Sequence, residues 1–179
     1  MSQLPTLLVA YASKHGSTRE VADAVAIRLR EHGWRSDLQP AADVQDMDGY
    51  AGVVLGAALY MGRPHADGRR FLKRHHAALA SLPFAVFAMG PLKDEEHDLA
   101  GSRAQIDKAI GRYDDLRPAV EAVFGGVLDP AEQRFPFNHM PAGDARDWDA
   151  IRAFADQVHE AFSSVTSPSG QPVGRVDQR

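Results

Sequence analysis

Residues 11–18 read YASKHGST: three aliphatic hydroxyls (Ser13, Ser17, Thr18), one glycine (Gly16), a lysine (Lys14), a histidine (His15) and no carboxylate. That set is suited to holding an anion. Where a loop turns into a helix, the first main-chain N–H groups have no intrahelical acceptor, and the helix dipole adds partial positive charge beside them. A phosphate is the natural occupant of such a place. The hydroxyls add donors, Gly16 lets the backbone come close, and each hydrogen bond to a charged group contributes about 1.5–3 kcal/mol net. Several together hold a phosphate without a metal. The tetrapeptide STRE, residues 17–20, also reads as a capping box, with the Ser17 hydroxyl on the Glu20 N–H and the Glu20 carboxylate reaching back. That pairing accounts for Ser17 and Glu20 and leaves Ser13, Gly16 and Thr18 without a purpose; the two arrangements can coexist.

Other phosphate-handling loops fit less well. In a nucleotide-hydrolase loop the lysine follows the second glycine of GxxxxGK[ST], whereas Lys14 precedes the single glycine here. A dinucleotide loop needs GxGxxG. A phosphoacceptor domain would place acids at the ends of its first and third strands, and residues 11–13 and 57–59 contain none.

The elements that must position this loop alternate along the chain. An uninterrupted apolar run at residues 7–10 suits a strand covered on both faces. From 18 to 32, Val21, Val25 and Leu29 recur at helical spacing, and Gly33 is the expected stop. Further strands are expected at 35–39, 52–57, 84–89 and 119–127, and helices at 67–78, 102–113 and 148–162, with residues 41–48 a weakly helical or looped link. Five strands alternating with helices give an α/β sheet with helices on both faces. Ligands on such sheets bind beyond the carboxyl ends of the strands, where strand order reverses. The first, third and fourth strands end in YASKHGST, AALYMGRPH and MGPLKDEEH, so all three loops gather at one end.

Composition bounds the rest. With 179 residues and 44% hydrophobic composition the chain builds one full core, assigned to residues 1–162, and the polar Ser-, Pro- and Gly-rich residues 163–179 read as a disordered tail. The longest apolar stretch, residues 51–62, falls short of a membrane span, and the first ten residues show no secretory pattern. Cysteine is absent, which fits a reducing cytoplasm and removes thiolate chemistry. A net charge of −4 argues against a nucleic-acid surface. His75 and His76 are adjacent on an expected helix and diverge by about 100°, so no metal site is expected and a solvated face is. The charge run KDEEHD, residues 93–98, reads as a hydrated loop or a lid, with His97 a candidate proton donor.

YASKHGST resembles the first loop of the flavodoxin family, approximately [ST]-x-[ST]-G-x-[ST], in Ser13, Gly16 and Thr18; His15 stands where the family usually has a hydroxyl. The resemblance sharpens toward the flavodoxin-like, menaquinone-dependent protoporphyrinogen IX dehydrogenases through YASKHGST, LGAALYMGRPH and, more weakly, DWDAIRAFADQV, over about residues 5–162. In that group a longer basic and aromatic insertion precedes the last helix; here residues 131–146 are short.

The resemblance implies a doubly wound, five-stranded parallel sheet of order 2-1-3-4-5 that binds FMN. It implies a phosphate contact from Ser13, Lys14, His15, Gly16, Ser17 and Thr18. The flavin ring would lie between the later loops, Ala58, Leu59, Tyr60, Met61 and Gly62 on one side and Met89, Gly90, Pro91 and Leu92 on the other. Tyr60 would cover one ring face, the backbone at Met61–Gly62 would bond N5, and residues 89–92 would pair main-chain groups with the pyrimidine edge. Each has a plainer reading: Tyr60 a rim tyrosine, Met61 a core gap filler, residues 89–92 a strand-ending turn. The implied activity is an FMN-dependent oxidoreduction of a quinone, a porphyrinogen or another planar reductant, with no obligatory catalytic side chain. A non-enzymatic electron carrier docking redox proteins is the alternative, although −4 is weakly acidic for that role. A third reading is an interaction module that no longer binds flavin.

Overall fold

The computed structural model describes residues 4–60, 63–90, 96–132 and 137–166. Strand β1 (Thr6–Ala12) leads through α1 (Ser17–Glu31) to β2 (Arg35–Pro40), and a looped link leads to β3 (Tyr50–Tyr60). A two-residue β4 (Arg63–Pro64) precedes α2 (Ala66–Ala80), β5 (Phe84–Met89), α3 (Glu96–Ile110) and β6 (Val120–Phe124). A small hairpin of β7 (Val127–Leu128) and β8 (Gly143–Asp144) comes before α4 (Trp148–Thr166). The main sheet runs β2-β1-β3-β5-β6, all parallel, with β4 paired antiparallel to the end of β3. Leaving aside that short return strand, this is the expected order of five strands.

Period-2 alternation along β1 divides the core in two. Leu7 and Val9 join Val21, Val25, Leu29, Phe154, Val158 and Phe162 beneath α1 and α4. Leu8 and Ala10 join Phe71, Leu79, Ile106 and Ile110 beneath α2 and α3, together with Ala41, Val44 and Met47 of the link, which is not helical. Both faces of the central strands are thus dry, as the apolar runs require. Gly56 of β3 stands directly opposite Phe87 of β5. The Phe87 ring lies where a Gly56 side chain would be and packs on Phe124 and Phe154, with centroids 5.7 and 5.8 Å away.

Several boundaries differ from expectation. Strand β3 continues past its neighbours to Tyr60, because Leu59↔Pro64 and Tyr60↔Arg63 supply a return strand and the His65 N–H donates to the Ala58 carbonyl at 2.8 Å. The expected strand at 119–127 breaks at Gly125–Gly126. A side chain at Gly125 would collide with the Ala145 carbonyl, and the chain re-pairs as β7 with β8. Helix α3 begins at Glu96, inside the stretch expected to be a loop or lid, and ends at Ile110. Helix α4 runs through Thr166, so residues 163–166 belong to the folded body; its Thr166 hydroxyl donates to the Phe162 carbonyl at 2.9 Å. His75 is buried rather than solvated, and that burial lowers its pKa. His76 stacks on Tyr113 with centroids 4.8 Å apart.

Helices α1 and α4 are joined by polar contacts at their outer edge. Asp156 accepts from Arg28 Nε at 2.7 Å and lies 2.6 Å from His32 Nε2. Trp34 Nε1 donates to His159 Nδ1 at 3.0 Å, and His159 stacks on His32 at 4.2 Å. The Arg28 hydrogen bond, then that of His32, holds the Asp156 carboxyl down to about 2 from 3.8. A depressed carboxyl stabilises the fold above its unfolded value and loses that contribution as pH falls through its folded value. Asp156→Asn is therefore expected to be less stable than the parent at neutral pH, with the gap closing between pH 3.8 and about 2 in urea titrations. Gly56→Ala is expected to lower stability by about 1–3 kcal/mol through overpacking against Phe87, read as a shifted urea midpoint.

Candidate functional site

The carboxyl ends of β1, β3 and β5 lie side by side because these strands are adjacent and parallel, with Ala12↔Ala57 and Ala58↔Met89 the last pairs. Beyond β1 the chain turns at Gly16, whose φ of 83° is a left-handed conformation that costs another residue about 1–2 kcal/mol. Gly16 is the N-cap of α1 and its carbonyl accepts from the Glu20 N–H at 3.0 Å. The N–H groups of Ser17, Thr18 and Arg19 precede that first bond and have no acceptor within the helix. No side chain caps them: the capping box does not form, and Glu20 instead accepts from Arg146 at 2.6 Å. Ser17 is the first helical residue rather than the cap, which is why its hydroxyl cannot fill that role.

Two hydroxyl oxygens in this loop, Ser13 Oγ and Thr18 Oγ1, are buried with no hydrogen-bond partner, and Thr18 is 0% exposed. A buried hydroxyl without a partner costs about 1–3 kcal/mol. These two flank free helix amides, so the donor set suits an anion at this spot. Lys14 is exposed and His15 is half-buried.

Of the second group, Tyr60 stands at the rim, 37% exposed, with edge contacts to His15 at 6.1 Å and His65 at 5.9 Å. It thus bridges the first loop to the start of α2, where His65 is the N-cap and its Nδ1 accepts from the Asp67 N–H at 3.3 Å. Ala58 is buried and Leu59 packs on the α2–α3 core, so a ligand beside them meets main chain. Met61 and Gly62 lie outside the described residues, as do Pro91 and Leu92. Met89 is a core residue beneath α4. The Gly90 N–H donates to the Phe124 carbonyl at 2.8 Å, which commits that donor to the sheet rather than to a ligand. His97, within α3, has no described side chain.

Three positions at the site escaped sequence reasoning. Gly68 brings the first turn of α2 against the ends of β1 and β3; a Cβ there would lie 3.3 and 3.4 Å from those of Ala57 and Ala12. Ser102, buried in α3, backs Gly90, where an added Cβ would meet its Oγ at 2.9 Å. Arg146 grips the first turn of α1 through Glu20 while bonding Asp144 and lying 4.8 Å over Trp148. Its bonds to Asp144, opposed by burial and aided by Glu20, raise its pKa further. None of the three carried a local signal.

A flavodoxin domain family model matches residues 8–139. The chain belongs to that family. The family is one of FMN-binding proteins, and the unpartnered hydroxyls fall where the family's first loop meets its helix. The chain is 30% identical over 123 residues to the protoporphyrinogen IX dehydrogenase [quinone] of Escherichia coli K12, covering 68% of each protein. It is 31% identical over 134 residues to the enzyme of the same name from Leishmania major, covering 71% of this chain and 56% of that one. Flavodoxin 1 of Bacillus cereus superposes with a TM-score of 0.60 at 16% identity, covering 87% of this chain and 97% of its own. A short-chain flavodoxin associated with a bacterial microcompartment superposes at 0.61 and 20%, covering 89% and 100%. These two likenesses establish the flavodoxin fold.

Thr18→Val keeps the shape and removes the hydroxyl. It is expected to weaken FMN binding roughly ten- to hundredfold, the worth of one hydrogen bond to a charged group. Thermal stability of the FMN-free protein should hold or rise, since a buried orphan oxygen is gone. Fluorescence titration with FMN and thermal melts without it check the two halves.

Proposed function

We propose that this chain binds FMN with its phosphate on the Ser17–Arg19 amides and the hydroxyls of Ser13, Ser17 and Thr18, and that it moves electrons between a planar organic reductant of the porphyrinogen type and a quinone. The observation that carries the reading is the pair of buried, unpartnered hydroxyls of Ser13 and Thr18 at the open start of α1. Bound FMN would supply the redox chemistry, as flavins accept electrons singly or as hydride.

The protein's own residues bind, orient and shield. The left-handed Gly16 turn presents the amides. Lys14 adds positive charge at the edge, and the absence of a carboxylate from residues 11–18 spares an anion repulsion. Tyr60, held by His15 and His65, offers a ring face at the rim and keeps water from one side of a planar ligand. The main chain at residues 58–62 and 89–92 would form the remaining walls. Support for the substrate class comes from relatives that bear the name protoporphyrinogen IX dehydrogenase [quinone], those of Escherichia coli K12 and Leishmania major among them. In the overall reaction the reductant gives up electron pairs and protons, and each quinone takes up two electrons and two protons to become a quinol. Among the described residues no helix is long and apolar enough to cross a membrane.

The test is a steady-state assay of FMN-loaded protein with protoporphyrinogen IX and a soluble menaquinone analogue. Turnover with both is expected, and Tyr60→Ala should weaken FMN binding roughly two- to tenfold, as loss of an aromatic contact does. A yellow protein that reduces no quinone but exchanges electrons with redox proteins would instead be a carrier.

A further inference from the structure

A second concave site lies beside the first. Helices α2 and α3 diverge from β4 to leave a cleft of about 500 Å³, within the range of small-molecule pockets. Six cations line it: Arg63, Arg69, Arg70, Lys73, Lys108 and Arg112. Among the described residues no carboxylate lines it. Among the described residues only Arg70 of these six has an acidic partner, Asp67 at 2.8 Å. Two further carboxylates near α3 stand outside this ion pairing: Asp107 lies against Glu121, and Asp115 is beside His76 at 3.9 Å. This concentration occurs in a chain of net charge −4, so the charge is segregated rather than spread. The Gln105 side-chain oxygen, in the cleft wall, is buried without a partner. Either orientation of that amide leaves a hydrogen-bonding group for an occupant to meet.

We propose that the α2–α3 cleft is a binding site for a small soluble oligophosphate, separate from the phosphate place at the start of α1. The choice of ligand follows from charge density. A cleft of this volume with six cations is matched by three or four negative charges on a compact ligand, which linked phosphates supply and a single carboxylate or phosphate does not. Four of the six cations are arginines, whose planar forks take two phosphate oxygens at once. A flat lipid surface would reach the outermost cations but not those lining a recess. Arg63 pairs with Tyr60 across the β3–β4 turn, so an occupant would lie next to the rim of the FMN site without sharing its hydroxyls or amides.

The probe is inorganic tripolyphosphate, titrated calorimetrically into FMN-loaded protein at low and at high ionic strength. One saturable site is expected, weakening with salt as screened charges do. In R69Q/R112Q, and more mildly in R112Q alone, affinity should drop by roughly tenfold or more, while the flavin absorbance and the melting temperature stay at parent values. Those two readouts separate loss of the cleft from loss of the fold or of FMN. Three results would overturn the proposal: no saturable heat, equal affinity in parent and variants, or association with phosphatidylglycerol vesicles in the absence of tripolyphosphate binding, which would assign these cations to a membrane surface. Because the same titration can be run on FMN-free protein, its outcome does not depend on the oxidoreductase reading.

Discussion

The parallel pairing of β1 with β3 is the constraint from which the rest follows. A parallel pair cannot be closed by a tight turn, so each partner needs a crossover. Because β1 and β3 already fill each other's neighbouring place, their crossovers leave toward opposite edges of the sheet, and right-handedness then puts α1 and α2 on opposite faces. From β1 the chain passes through α1 to β2 on one side; from β3 it passes through α2 to β5 on the other. The two loops diverge, and a crevice opens at the carboxyl ends between them. Everything with functional content sits at or beside it: the Gly16 turn, the open amides of α1, Tyr60 and the β4 return strand.

Close packing then sharpens the crevice. Gly68 lets α2 settle on Ala12 and Ala57, so its N-terminus stays near the first loop. Arg146 ties the segment after β8 to the first turn of α1, fixing the far side of the loop through Glu20 and Asp144. Phe87 fills the space left by Gly56 and connects the β5 strand to Phe124 and Phe154, so the strand carrying Met89 and Gly90 is braced from beneath. The first loop departs from this economy of satisfied contacts. Ser13 and Thr18 keep buried hydroxyls with no partner beside amides that no helix carbonyl can reach, and two such oxygens together at the open start of a helix point to a ligand.

Much of this was legible beforehand because it is local. Gly16, the hydroxyls around it and the apolar runs of β1, β3 and β5 are signals carried within a few residues; they marked the strands and suggested an anion at the first loop, whereas the order of the strands came from the resemblance to flavodoxins. The departures were non-local. Strand β3 outran its expected end because β4 folds back on it. The strand expected at 119–127 broke because the Ala145 carbonyl lies against Gly125. His75 was expected in solvent and is buried, since the link carrying Val44 lies near it.

The sequence by itself determined the periodicities and the chemistry of the first loop, since strand alternation, helical spacing and hydroxyl placement are properties of neighbours in the chain. Only the tertiary structure decided which of those groups are left unsatisfied. The capping box was a fair local reading, but Glu20 is drawn away by Arg146, 126 residues distant. The clustering of cations between α2 and α3 likewise needed the fold: Arg69, Arg70 and Lys73 share one basic helix in the sequence, but Arg63, Lys108 and Arg112 come from β4, α3 and the turn after it, which only the folded sheet brings beside them.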